Sequence, residues 1–168
     1  MRVLNLVTTE RARFFRQQRA TLGELGVEET TLTVPGDHTY DDGSTHERSA
    51  VDYLRFLPTV VRRSLDGYDL VHANYGLTAP AALAQPTRPV VLSLWGSDLF
   101  GSVGWLSRRC AGLADAVIVM TDGMAAELGD VDSHVIPHGV DLDRFRPIPQ
   151  GVARDSVGWD RDAAQVLF

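Results

Sequence analysis

Apolar residues come in short blocks along this chain, separated by stretches in which they recur with helical spacing. Arg2–Val7 is an apolar strand. Thr8-Thr9-Glu10 reads as a helix entry, a capping hydroxyl followed by an acid in the first turn. From Arg11 to Leu25 the spacing is helical; at roughly 100° per residue, Phe14, Phe15, Leu22 and Leu25 share one face and Arg13, Arg16 and Arg19 another. Gly26 ends that helix and Val27–Val34 is a second strand. Pro35–Arg48 is polar, with Gly, Pro and Asp throughout, and reads as a long surface loop. Ser49–Leu65 is helical, with an interruption expected at Pro58.

The alternation continues. Asp69–Ala73 is a strand, and Leu77–Ala84 a small-residue helix with Pro80 in its first turn, where proline is tolerated. Strand Pro89–Leu94, helix Val103–Leu113, strand Ala116–Met120, helix Asp122–Leu128 and strand His134–Ile136 follow. Strands this apolar, alternating with helices, predict an open, mostly parallel Rossmann-like α/β sheet with helices on both faces. Asp141–Gln150 carries two prolines and reads as an extended linker. Gly151–Gly158 fits a short helix, and Ala164–Phe168 begins another strand. The expected organisation is one domain over 1–140, with 141–168 as linker and first strand of a truncated second domain. A terminal edge strand on the first sheet is the alternative.

Composition narrows the class. The 168 residues are 44% hydrophobic and 23% charged, which suits one soluble domain and is too little for two full ones. Runs such as Ala116–Met120 are far shorter than the roughly 20 residues of a membrane span. Met1-Arg2 leads straight into a strand, so no signal peptide is expected before the fold. A lone Cys110 rules out a disulfide framework and a cysteine zinc site, and the expected location is cytoplasmic. All 16 basic residues are Arg, against 22 acids, for a net charge of -6. A halophile's acidic surface and a GC-rich genome both fit that bias. The acidic balance argues against bulk binding to nucleic acid.

Open parallel sheets bind ligands beyond the carboxyl ends of their strands, and every strand here empties into polar, aromatic or glycine residues. Thr8, Thr9, Glu10, Arg11 and Arg13 follow the first strand. His72, Asn74, Tyr75 and Gly76 mark the third, and Trp95, Gly96, Ser97 and Asp98 the fourth. Thr121 and Asp122 follow the fifth, His138 and Gly139 the sixth. His134, His138, Asp141 and Asp143 have ligand-like chemistry, but a strand start and a linker do not make a metal site, and none is expected. Gly96–Gly101 imitates a phosphate loop without the Lys-Ser/Thr that completes one.

Four segments in order, VHANYG (Val71–Gly76), VVLSLWGSDL (Val90–Leu99), ADAVIVMTDGMAAEL (Ala114–Leu128) and VIPHGVDLDRFRP (Val135–Pro147), resemble the amino-terminal half of a GT-B glycosyltransferase of the family 4, or group 1, type. The resemblance runs over essentially all 168 residues. It implies two Rossmann-like domains across a cleft, the first binding the acceptor and the second the nucleoside diphosphate sugar. It also implies a retaining hexosyltransferase that needs no divalent metal and no cofactor beyond the donor substrate. The partners it implies are a glycan or lipid-linked acceptor, a second domain in cis, and peripheral contact with the inner membrane face.

The chain departs from that family's pattern in three places. Many members carry a glycine pair after the first strand, where Thr8–Arg11 stand here. Many carry a His in an H-G-x-D pattern after the fourth strand, where this chain has Trp95-Gly96-Ser97-Asp98. The family's Asn before the hinge glycine is His138.

Each candidate has two readings. Asp98 is placed as proton acceptor for the acceptor hydroxyl, or as a cap of the following helix. His72 is placed as a catalytic-site residue contacting acceptor or donor sugar hydroxyls through a neutral imidazole, or on a backbone carbonyl. Trp95 offers a flat apolar face to a sugar ring, or belongs to the core. Arg11 and Arg13 oppose the helix dipole, which fits a diphosphate or an anionic lipid acceptor, or else salt bridges on an acidic surface. Thr9, Asn74, Tyr75, Gly96, Ser97, Thr121, His138 and Gly139 complete the expected binding set. A non-catalytic carbohydrate- or partner-binding domain and a GT-B sugar-nucleotide epimerase are the competing functions.

Overall fold

The computed structural model describes residues 1–36, 48–87 and 89–165. They form two compact units, Met1–His138 and Gly139–Phe168. The first contains strands β1 (Arg2–Val7), β2 (Glu28–Thr33), β3 (Leu70–Ala73), β4 (Val90–Ser93), β5 (Ala116–Val119) and β6 (His134–Val135). They pair in parallel throughout, in the order β2-β1-β3-β4-β5-β6. The helices are α1 (Arg13–Glu24), α2 (Ala50–Ser64), α3 (Ala79–Ala84) after a 3-10 turn at Gly76–Thr78, α4 (Ser97–Phe100), α5 (Gly104–Ala111) and α6 (Asp122–Leu128). The second unit holds α7 (Gln150–Ser156). The parallel α/β architecture expected from the sequence is the one observed.

Strand order reverses once, between β1 and β3, and right-handed crossovers therefore put α1 on one face and α2 to α6 on the other. Register separates two rows of side chains. Leu6, Ala73, Leu92 and Val117 align across four strands and point into the main core with Phe56, Val60, Ala82, Leu99 and Met124. Burying each of the larger aliphatic side chains contributes roughly 1.5–3 kcal/mol, and this face holds most of the stability. Asn5 aligns with His72 and Val91 in the opposite row, on the α1 side. One face of the sheet is oily; the other carries buried polar groups.

Local expectations fail in three instructive places. Thr8-Thr9-Glu10 does not open α1: Ala12 is the N-cap, with no side-chain cap and no acid in the first turn. The Thr9 hydroxyl accepts from Arg11 N–H (3.2 Å), while Glu10 accepts from the Thr33 hydroxyl (2.8 Å). Those side chains are committed to a turn and to the neighbouring strand.

Pro58 does not interrupt α2, which runs unbroken. The amide it lacks would have bonded Leu54 O, and both residues lie on the exposed face of the helix, where a carbonyl without its helical partner costs least. Thirdly, Ser97–Phe100 is a helical turn that periodicity is too short to reveal. Positions 37–47 of the polar loop, and 166–168 of the expected terminal strand, lie outside the described residues. No helix among the described residues is long and apolar enough to cross a membrane.

Candidate functional site at the strand tips

Beyond the ends of β3 and β4 the chain makes two turns that are fastened together by one carboxylate. Asp98 is fully buried. Its Oδ1 accepts from the Trp95 and Gly96 amides, both at 2.9 Å, and its Oδ2 from the Gly76 amide at 2.8 Å. Ser107 of α5 donates to the Asp98 carbonyl (2.7 Å). Three charge-assisted bonds offset the desolvation of the carboxylate and fix where Trp95 and Tyr75 stand. Gly96 sits at φ 111°, a conformation that excludes an ordinary side chain. Gly76 is required for space, because a Cβ there would meet Ser107 Oγ at 2.0 Å. The geometry gives Asp98 the work of an anchor, with no face open to a substrate proton.

Two further ties shape the edge. The Trp95 indole N–H donates to Asn74 O. The Tyr75 and Ser97 hydroxyls lie 3.3 Å apart at the surface, a pair able to donate to or accept from a ligand hydroxyl.

An aromatic cluster stands beside them. His138 lies flat on Trp95, with ring centroids 4.4 Å apart and planes at 9°. Phe14 tilts against both, at 4.5 Å from Trp95 and 4.7 Å from His138. Trp95 is partly exposed and belongs to neither extreme expected of it, for His138 already covers one of its faces. Phe14, expected on the core face of α1, is 39% exposed; Phe15 takes the buried place.

Behind the edge is a buried polar layer. His72 Nε2 and Ser93 Oγ are 2.8 Å apart, and burial holds the imidazole pKa down to about 4, so the ring is neutral at pH 7. Its partner is thus a hydroxyl on β4 and not the backbone carbonyl of the plainer reading. Asn74 Nδ2 donates to Asn5 Oδ1 (3.0 Å) and His72 O (3.3 Å), and Asn5 Nδ2 donates to Glu29 (3.0 Å). Asn74 Oδ1 is buried without a hydrogen-bond partner among the described residues. Glu29 in turn meets Arg19 (3.4 Å), which leads back to Glu10 (3.8 Å). Asn5, Ser93 and Phe14 are the residues sequence reasoning missed. A lone polar residue in each of two buried strands was the available signal for the first two.

The remaining candidates spread out. Thr9 and Arg11 are exposed in the turn after β1, and Arg13 is the first residue of α1. Thr121 caps α6, its hydroxyl accepting from Met124 N–H (3.2 Å). Gly139 opens the second unit and is described apart from the site. Partial burial lowers the His138 pKa below the ordinary imidazole value.

The sequence profile of Glycosyltransferase Family 4 matches residues 12–144. A protein of Catenulispora acidiphila named D-inositol 3-phosphate glycosyltransferase 2 is 33% identical over 131 aligned residues, covering 60% of this chain. The match spans 29% of that relative's length.

Proposed function

The chain belongs to Glycosyltransferase Family 4, and from that premise we propose that it forms the acceptor-binding part of an enzyme that transfers a sugar from a nucleoside diphosphate sugar to an acceptor hydroxyl. One observation supports this most: accessible hydroxyl and aromatic groups from β3, β4, β6 and α1 meet at one sheet edge, on turns locked by Asp98. Tyr75 and Ser97 would meet hydroxyls of the acceptor, and the aromatic cluster would border its ring. The donor would sit mainly on a second domain, with transfer proceeding with retention and without a divalent metal.

Glycans and lipid-linked sugars are the acceptor classes proposed from the sequence, the latter with peripheral contact at the cytoplasmic membrane face. The relative's name adds a concrete compound, D-inositol 3-phosphate, a polyol ring bearing one phosphate. Arg11, exposed beside the β1 tip, is the cation proposed to meet such a phosphate. Closure over the acceptor would orient its hydroxyl and exclude water.

The test is a transfer assay with the chain alone and with any residues its gene encodes beyond Phe168. Nucleoside diphosphate sugars would be offered together with D-inositol 3-phosphate and with glycan acceptors. Saccharide product from the longer form, and acceptor binding by residues 1–168, are expected. Binding of glycans with no transfer or donor hydrolysis by any form would instead favour a non-catalytic binding protein.

A further inference from the structure

We infer that His138 is a hydroxyl-binding residue for a polyol acceptor, held for that task by the rings of Trp95 and Phe14. The inference rests on the acceptor-binding reading above and goes further, to one side chain and its support. Stacking engages the faces of an imidazole and leaves its edge, where both nitrogens lie, outward. Trp95 lies parallel to one face of His138 at 4.4 Å, and Phe14, tilted at 4.7 Å from His138 and 4.5 Å from Trp95, stands beside the stacked pair. Neither ring nitrogen has a hydrogen-bond partner among the described residues, and the residue is exposed. A neutral imidazole offers one donor nitrogen and one acceptor nitrogen in diverging directions, and a sugar or cyclitol hydroxyl complements either.

The support is itself supported. Trp95 is pinned by its indole N–H to Asn74 O and by its amide to Asp98, so the ring that carries His138 has little freedom. Trp95 and His138 are the two rings in face-to-face contact. Trp95 is accordingly a positioning residue, and Phe14 closes the side of the pair.

Titration of residues 1–168 with D-inositol 3-phosphate, followed by calorimetry and by imidazole nitrogen NMR, tests this. His138→Phe keeps a stackable ring and removes both nitrogens; binding at least tenfold weaker with an unchanged melting temperature is expected. Trp95→Ala is expected to raise the His138 pKa towards the ordinary imidazole value and to weaken binding, whereas Trp95→Phe retains both properties. Binding that survives His138→Phe would overturn the inference alone. A His138 pKa indifferent to Trp95→Ala would overturn the positioning role. If the unmodified chain binds no D-inositol 3-phosphate, the polyol acceptor reading fails and this inference fails with it.

Discussion

Asp98 Oδ2 accepts the amide of Gly76 at 2.8 Å, and this bond joins the turn after β3 to the turn after β4. With two more amides on Oδ1, it makes the site's geometry depend on one buried carboxylate. Asp98→Ala leaves three backbone donors unpaired, a loss of about 3–5 kcal/mol. Asp98→Asn keeps the shape but turns an N–H towards a donor, so it should fall between Ala and the native residue. Urea denaturation measures the loss; a change under about 1 kcal/mol would show that water replaces the carboxylate without penalty.

Gly76→Ala places a methyl group in the space held by Ser107 Oγ. Overpacking of this kind costs about 1–3 kcal/mol. Ser107→Ala removes the nearest atom but leaves Ser107 Cβ at 2.9 Å, so the double variant should regain only part of the stability. A double-mutant cycle on thermal midpoints checks the coupling, and simple additivity would contradict the contact.

His72 makes the fold acid-sensitive. Its folded pKa of about 4 lies below the ordinary 6.5, so between those values the unfolded chain binds a proton that the folded one refuses. The contribution is fully present above pH 6.5 and is lost as pH falls through about 4, levelling off below it. Over that window the loss amounts to roughly 3 kcal/mol. His72→Gln retains a partner for Ser93 without titrating there, and its stability curve should be flatter than the native one between pH 6.5 and 4. Parallel curves would place the acid sensitivity elsewhere.

Pro58→Ala restores the amide that α2 lacks and removes a ring from a helix interior. Because the exposed face already tolerates the proline, the gain should be modest, about 1–2 kcal/mol in chemical denaturation. No gain at all would mean that the proline's restriction of the unfolded chain offsets the missing bond.

The order of strands and helices was legible because it depends on local spacing. The apolar blocks at β1, β3, β4 and β5, four to six residues each, are long enough to mark strands, and the alternation with helices leaves a parallel sheet as the economical arrangement. The edge that would carry chemistry was legible too, since the residues after each strand must gather there. Thr8-Thr9-Glu10 was misleading for a physical reason: cap chemistry is shared by helix entries and by tight turns, and here Thr9 closes a turn on Arg11 while Thr33, on another strand, takes the Glu10 carboxylate.

By itself, then, the sequence determined the parallel sheet, the edge at which its strand tips gather and the resemblance of its tip segments, all properties of residues near one another in the chain. The tertiary structure alone decided that Asp98 anchors turns, that His72 faces Ser93, and that Phe14, Trp95 and His138 share one cluster. These relations join distant segments through register and turn geometry, so no spacing along the chain encodes them.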